Sequence, residues 1–174
     1  SAGPEKDKYL AYVGTYTTSG EWRGTTASRG IYVYDYDSVT GQLSKPRIAA
    51  EASDPSFVVV HPNGNYLYAA NELEKFGTVS SGTLSAYAID KHNGKLKLLN
   101  KVASGGLGPC FLSFDKTGRY LFAANYDGGS ISVFPIGKDG ALGPATSRVQ
   151  HEGSGADKAR QEGPHAHWIG ASPD

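Results

Sequence analysis

Apolar and polar residues alternate along much of this chain with a period of two. In Gly30-Ile-Tyr-Val-Tyr-Asp-Tyr-Asp37, residues Ile31, Val33 and Asp35 fall on one face of an extended segment and Tyr32, Tyr34 and Tyr36 on the other. Such runs are punctuated by Asn93-Gly94 and Asp139-Gly140. These pairs accept the positive φ of tight hairpin turns, so the pattern predicts short antiparallel strands. No window carries a 3.6-residue apolar period, and Ala156–Glu162 offers one short turn of helix at most.

The strands repeat. Asp54-Pro-Ser-Phe-Val-Val-Val-His-Pro-Asn-Gly-Asn-Tyr-Leu-Tyr-Ala-Ala-Asn-Glu72 aligns without a gap on Gly108-Pro-Cys-Phe-Leu-Ser-Phe-Asp-Lys-Thr-Gly-Arg-Tyr-Leu-Phe-Ala-Ala-Asn-Tyr126. Pro55 matches Pro109, Gly64 matches Gly118 and Asn71 matches Asn125. The segments C-terminal to these two also recur: Gly82–Asp90 resembles Gly129–Gly137, and each run leads through a turn to a leucine, Leu96 or Leu142. At the N-terminus, Tyr9–Gly14, Gly30–Asp37 and Gly41–Leu43 are the same parts with one strand fewer. Each unit is four antiparallel strands, a to d from the inside out. A four-stranded unit of about fifty residues is the blade of a β-propeller. The fold class is therefore all-β, a single partial propeller domain over residues 1–174. Its units are about 9–52 (strands b, c and d), 54–103, 108–150, and 164–174 (strand a of a further blade, from near Ala166). Three blade equivalents are too few to close a ring, and the first lacks its inner strand. A second polypeptide or a second copy is expected to complete it.

Composition sharpens this. Glycine accounts for 23 of 174 residues and tyrosine for 11, with no methionine, as suits short strands and tight turns. Lys and Arg total 17 and balance 17 acidic residues, with no basic block, which argues against nucleic acid. No apolar run reaches the length of a membrane span. Cys110 is the single cysteine, so no intrachain disulfide forms. Ser1 stands where Met would begin a nascent chain, which fits a removed signal peptide or tag. The compartment stays open between cytoplasm and periplasm.

Propeller topology puts the a–b and c–d turns at one end and the b–c and d–a loops at the other. The first set is short. The second is long and varied, and function on a rigid scaffold sits in such loops. Its richest stretch is Arg160-Gln-Glu-Gly-Pro-His-Ala-His-Trp168. His165 and His167 are two apart, so an extended segment turns both to one face, where imidazoles serve as acid and base or hold a metal. The bland alternative is backbone hydrogen bonding at a blade edge. Glu162 can orient a histidine, and Arg160 can grip an anion with its planar fork. Glu72, Asn71, Asn125 and Tyr126 head the b–c loops and are candidate substrate contacts. Because both units share the two asparagines, a turn-forming structural role suits them better than ligand contact. Arg23 and Arg29 can add positive charge from the first loop. Cys110 reads as a small buried hydrophobe, and His61 and His92 lie at the turn end. No zinc-type cysteine spacing, phosphate-cradling glycine loop or Gly-x-Ser-x-Gly elbow is present.

The chain resembles the seven-bladed propeller lactonases, the group that includes a bacterial type of 6-phosphogluconolactonase. The resemblance rests on Tyr12-Val-Gly-Thr-Tyr16, Gly30-Ile-Tyr-Val-Tyr34, Pro55-Ser-Phe57 with His61-Pro-Asn-Gly64, and Tyr120-Leu-Phe-Ala-Ala-Asn-Tyr126 with Ser132-Val-Phe134. Most specific is Arg160-Gln-Glu-Gly-Pro-His-Ala-His167. It covers the N-terminal half of such a protein. It implies hydrolysis of a sugar lactone, foremost 6-phosphoglucono-δ-lactone, in the pentose phosphate pathway of a bacterium. The residues point to no cofactor and no metal site, and the metal requirement stays open. The residues themselves, and not the family name, make His165, His167 and Glu162 the catalytic candidates for this chemistry, and Arg160, Glu72, Asn71, Asn125, Tyr126 and Arg29 the substrate-binding ones. The alternatives are a carboxymuconate-type lactonising enzyme of the same fold and a non-enzymatic propeller binding module.

Overall fold

The computed structural model describes residues 8–21 and 23–173. The described elements are strands joined by turns and loops. The first sheet contains β1 (Lys8–Val13), β2 (Gly30–Asp37), β3 (Gln42–Leu43) and β4 (Arg47–Glu51), with β3 and β4 pairing successive stretches of β2. The second runs β5 (Pro55–Val60), β6 (Tyr66–Asn71), β9 (Thr83–Ile89), β10 (Leu96–Ala103). Between β6 and β9 the chain makes a two-stranded ribbon, β7 (Lys75–Phe76) with β8 (Val79–Ser80). The third sheet runs β11 (Pro109–Phe114), β12 (Tyr120–Asn125), β13 (Ser130–Pro135), β14 (Ser147–Gln150). All named pairings are antiparallel. The repeat extends to register: Pro55 faces Asn71 and Phe57 faces Ala70, as Pro109 faces Asn125 and Phe111 faces Ala124, with the same one-residue irregularity after each proline.

The sheets pack face to face, and alternation along β6 explains how one strand serves two interfaces. Leu67 and Ala69 point toward the first sheet, where they meet Ile31, Val33 and Ala49. Tyr68 and Ala70 point the other way, into a cluster with Leu112, Leu121, Ala123 and Phe134. Burying one such large apolar side chain contributes roughly 1.5–3 kcal/mol. Successive strands thus alternate between two dry seams, the packing of propeller blades.

The turn end is stitched from sheet to sheet by side chains donating to backbone carbonyls. Tyr12 Oη donates to Gly94 O at 2.9 Å and Tyr68 Oη to Gly140 O at 2.8 Å. His61 Nε2–H donates to Gly118 O at 2.8 Å, while its Nδ1 accepts the Asn63 N–H at 3.1 Å. That use of both nitrogens gives His61 a structural role.

Residues 156–162 form a single turn, with Gln161 N–H bonded to Asp157 O at 2.7 Å. The strand expected from near Ala166 makes no ladder among the described residues. Residues 164–173 instead run beside the inner strand β11: Cys110 Sγ approaches Ala166 O at 3.8 Å, Ser113 Oγ donates to Ile169 O, and Trp168 lies 6.1 Å from the Phe111 ring. These are side-chain contacts to a neighbouring sheet, and a ladder requires backbone pairing within one sheet. Asp174, the last residue of that unit, lies outside the described residues, as do Ser1–Asp7.

Candidate active site

The opposite end gathers the long connections. Residues 14–29 link β1 to β2, 72–82 link β6 to β9, 126–129 link β12 to β13, and 151–165 come after β14. Together they wall a cavity of about 420 Å³. Its lining includes Tyr16 and Arg23 from the first loop, Glu72 from the second, Tyr126 and Asp127 from the third, and Ala159, Arg160, Glu162 and His165 from the fourth.

Tyr126 organises one side. His165 stacks on its ring at 4.5 Å with planes 20° apart, and His167 stands edge-on to the same ring at 5.5 Å. His165 Nδ1 lies 3.1 Å from Tyr126 O; a carbonyl only accepts, so Nδ1 carries the proton there. Nε2 lies 3.1 Å from Glu162 Oε1, a pairing through which a proton can pass. His167 is exposed beside this dyad. Asp127, also on the cavity wall, has its carboxyl pushed above the usual range by burial and then by the charge of Glu72, while His165 opposes the shift.

The other side is built around Glu72. Its Oε2 accepts the Tyr16 hydroxyl at 2.7 Å and the Ser56 hydroxyl at 2.6 Å, and Oε1 lies 3.6 Å from Arg23. Burial, and then the bond to Glu72, push the Tyr16 phenol up to about 12, so it remains a donor at neutral pH. The Arg23 guanidinium lies over the Tyr16 ring, 4.3 Å from its centroid. Beneath them is Asp54, 2% exposed. Its Oδ1 accepts the backbone N–H groups of Thr17 and Thr18 at 2.7 and 2.8 Å, and its Oδ2 meets Arg23 at 3.1 Å. Burial alone would raise this carboxyl, but the Thr18 and Thr17 N–H donors and then Arg23 outweigh it and hold it below the usual range.

Arg160, Glu162, His165, Glu72 and Tyr126 therefore meet at one cavity, with His167 adjacent. Three expected contacts do not. Asn71 and Asn125 are 2% and 0% exposed. Asn71 donates to Ser53 O and accepts from Ser85, and Asn125 donates to Ser104 O, so these carboxamides brace the loops from below instead of meeting a ligand. Arg29 leads into β2 and pairs with Glu51, which faces Gly30 across the ladder, so its exposed side chain is directed to the sheet edge and not to the cavity. Arg23, nearer the loop tip, takes the place expected of it. Tyr16, Asp54 and Asp127 were not legible as site residues. A signal for Asp54 existed: it stands at the position of Gly108 in the next unit.

Burial lifts the Cys110 thiol to about 11, with Glu72 and Asp127 adding to the shift, which leaves it a poor nucleophile. Among the described residues no cluster of three or more His, Cys, Asp or Glu side chains is arranged to hold a metal ion, and no helix is long and apolar enough to cross a membrane.

Comparison with known proteins agrees with this architecture. The 6-phosphogluconolactonase of Bacillus subtilis is 36% identical over 167 residues, covering 96% of this chain and 44% of that protein. A Bacteroides fragilis crystal structure, provisionally assigned as a 6-phosphogluconolactonase, superposes with a TM-score of 0.84 at 38% identity, over 99% of this chain and 45% of that one. The periplasmic gluconolactonase of Pseudomonas aeruginosa gives a TM-score of 0.70 at 32% identity, over 83% of this chain and 39% of that one. The chain thus spans under half the length of these relatives. The sequence model described as the seven-bladed β-propeller lactonase matches residues 10–174, and the chain belongs to that family.

Proposed function

We propose that the protein carrying this chain hydrolyses a sugar lactone, foremost 6-phosphoglucono-δ-lactone, at the cavity of the loop end. The observation that carries this is the grouping of Arg160, the His165–Glu162 pair and Glu72 around one 420 Å³ space in a member of the lactonase family. Ring opening requires a water oxygen to add to the lactone carbonyl carbon and the bond from that carbon to the ring oxygen to break. The water proton passes to a base, and a proton reaches the departing ring oxygen. His165 Nδ1 is committed to the Tyr126 carbonyl, so His165 works through Nε2 and its partner Glu162, the pair suited to returning a proton to the leaving oxygen. His167, exposed and edge-on to Tyr126, is the base for water. Arg160 holds the anionic end of the substrate, and Glu72 accepts hydrogen bonds from sugar hydroxyls.

The same reading keeps residues 164–173 as the inner strand of a further blade. Two contacts support it: Phe57 lies 4.9 Å from Phe111, and Phe111 lies 6.1 Å from Trp168, a line of rings across successive inner segments. It also assigns the inner edge of β1, where Tyr9 is 54% and Val13 42% exposed, to a strand supplied by a second polypeptide or a second copy.

The test is kinetic, on the full-length protein. His167→Ala is expected to lower kcat by roughly two to four orders of magnitude, the usual range for loss of a general base. Arg160→Ala is expected to act mainly on KM, because an anion clamp acts in ground and transition states alike. Wild-type turnover in the His165→Ala/His167→Ala double variant would remove the proposed chemistry.

A further inference from the structure

Asp54 combines two costly features. It is a nearly fully buried carboxylate, and it is the one non-glycine residue with positive φ (42°) among the described residues. The next unit has Gly108 at the matching position, with φ 60°, a conformation that suits glycine and strains other residues. A strained residue with a buried charge calls for a compensating role. The backbone does not supply it: the Asp54 carbonyl accepts the Glu72 N–H at 2.9 Å just as the Gly108 carbonyl accepts the Tyr126 N–H at 2.8 Å. What Asp54 adds over glycine is the carboxylate. One of its oxygens receives the Thr17 and Thr18 N–H groups and the other receives Arg23.

Resting on the lactonase reading, we infer that Asp54 is a positioning residue: it fixes the Arg23 guanidinium across the Tyr16 ring and against Glu72, and so sets the carboxylate that addresses the substrate in the cavity. The chain of contacts is continuous. Asp54 Oδ2 holds Arg23 Nη1, Arg23 Nη2 lies near Glu72 Oε1, and the Tyr16 and Ser56 hydroxyls fix Glu72 Oε2. Asp54 balances the charge of Arg23 from below. The guanidinium therefore acts as an oriented donor over Glu72 and does not compete with Arg160 for the anionic end of the substrate.

Asp54→Asn separates positioning from loop anchoring. The carboxamide oxygen still accepts the Thr17 and Thr18 N–H groups, whereas its NH2 faces the guanidinium donor to donor. In the full-length protein, Asp54→Asn and Arg23→Ala are each expected to lower kcat/KM by about tenfold or more, in line with the large rate cost of sub-ångström to ångström misplacement. The double variant is expected to lose no more than either single one, because Asp54 acts through Arg23. Trypsin is expected to cut after Arg23 faster in Asp54→Asn than in wild type. Additive losses in the double variant, or an unchanged tryptic rate, overturn the inference while leaving the lactonase reading intact. A wild-type protein inactive on every sugar lactone overturns that reading, and the tryptic rate then still decides whether Asp54 holds Arg23.

Discussion

The two ends of the same sheets are built from opposite materials. At the turn end, tyrosine and histidine side chains reach across to backbone carbonyls: Tyr12 to Gly94, Tyr68 to Gly140, His61 to Gly118. Those three side chains are each committed to a carbonyl. The cavity of about 410 Å³ that also opens at this end is lined by strand and turn residues such as Tyr12, Val60, Gly64 and Ile89, together with Lys91 and His92. At the loop end, Arg23, Glu72, Asp127, Arg160, Glu162 and His165 face a common cavity. Like charges are close enough there that Glu72 helps push the Asp127 carboxyl upward. The difference teaches where the fold stores stability and where it keeps chemistry. Changes at the turn end are therefore expected to move stability without touching the proposed reaction, and changes to the side chains that line the loop-end cavity to act mainly on that reaction.

The sharpest way to break that division is a pair of glycines at the turn end. A Cβ on Gly140 would meet Tyr66 ring atoms at 2.3–2.6 Å, with φ at +83°. Gly64 has φ +69° and open space around it. Gly140→Ala is expected to destabilise by about 3 kcal/mol through overpacking plus strain. Gly64→Ala is expected to cost about 1 kcal/mol, from strain alone. Urea unfolding of the full-length protein measures both. If the comparison of ends holds, kcat per folded molecule stays at the wild-type value in each; a kcat loss in Gly140→Ala at full folding would contradict it.

Acid offers a smaller effect from the other end. The Asp54 carboxyl is lowered in the folded protein and ordinary, near 3.9, in the unfolded chain. The unfolded state therefore takes up the proton first as pH falls. The stability that Asp54 contributes is fully present above the unfolded value and is lost as pH drops through the folded one. The gap in unfolding free energy between wild type and Asp54→Asn is expected to narrow from pH 7 to pH 3. A gap that stays constant would mean that the carboxylate charge is not what holds the first loop.

The hairpins of the second and third sheets were legible because their information is local. Period-two alternation, an Asn-Gly or Lys-Thr-Gly turn, and the repeated Tyr-Leu-aromatic-Ala-Ala-Asn run specify β5–β6 and β11–β12 down to a shared register irregularity. The candidate site was legible where it depended on topology, since Arg160, Glu162 and His165 reach the same cavity as Glu72 and Tyr126. It was not legible where side chains 31 to 37 residues apart determine the path of a loop, as Asp54 does for Thr17, Thr18 and Arg23. No periodicity encodes such contacts. Arg23 and Arg29 look alike in sequence for that reason, and only the fold separates them, with Arg23 at the cavity and Arg29 against Glu51. The asparagines show a different limit: a polar residue heading a loop looks alike whether its side chain turns out to a ligand or in to the backbone. The recurrence of Asn71 and Asn125 in both units is the one sequence signal for the inward, structural arrangement that the fold has.

Those asparagines support the finest test, because the two sheets solve the same problem unequally. Ser85 faces Ala69 across its ladder, and Ser132 faces Ala123 in the matching place. Ser85 Oγ donates to Asn71 Oδ1 at 2.6 Å. In the third sheet, Asn125 turns its Nδ2 to Ser130 Oγ and Ser104 O, both at 3.2 Å, and neither Asn125 Oδ1 nor Ser132 Oγ has a hydrogen-bond partner. All four residues are buried. Removing the Ser85 hydroxyl strands a buried carboxamide oxygen, so Ser85→Ala is expected to cost about 1–3 kcal/mol. Removing the Ser132 hydroxyl strands nothing, so Ser132→Ala is expected to fall within about 0.5 kcal/mol of wild type, on either side. Both sites lie beneath the loops without touching the cavity, and neither change is expected to alter KM. Equal losses in the two variants would show that Ser132 and Asn125 pair in solution as Ser85 and Asn71 do.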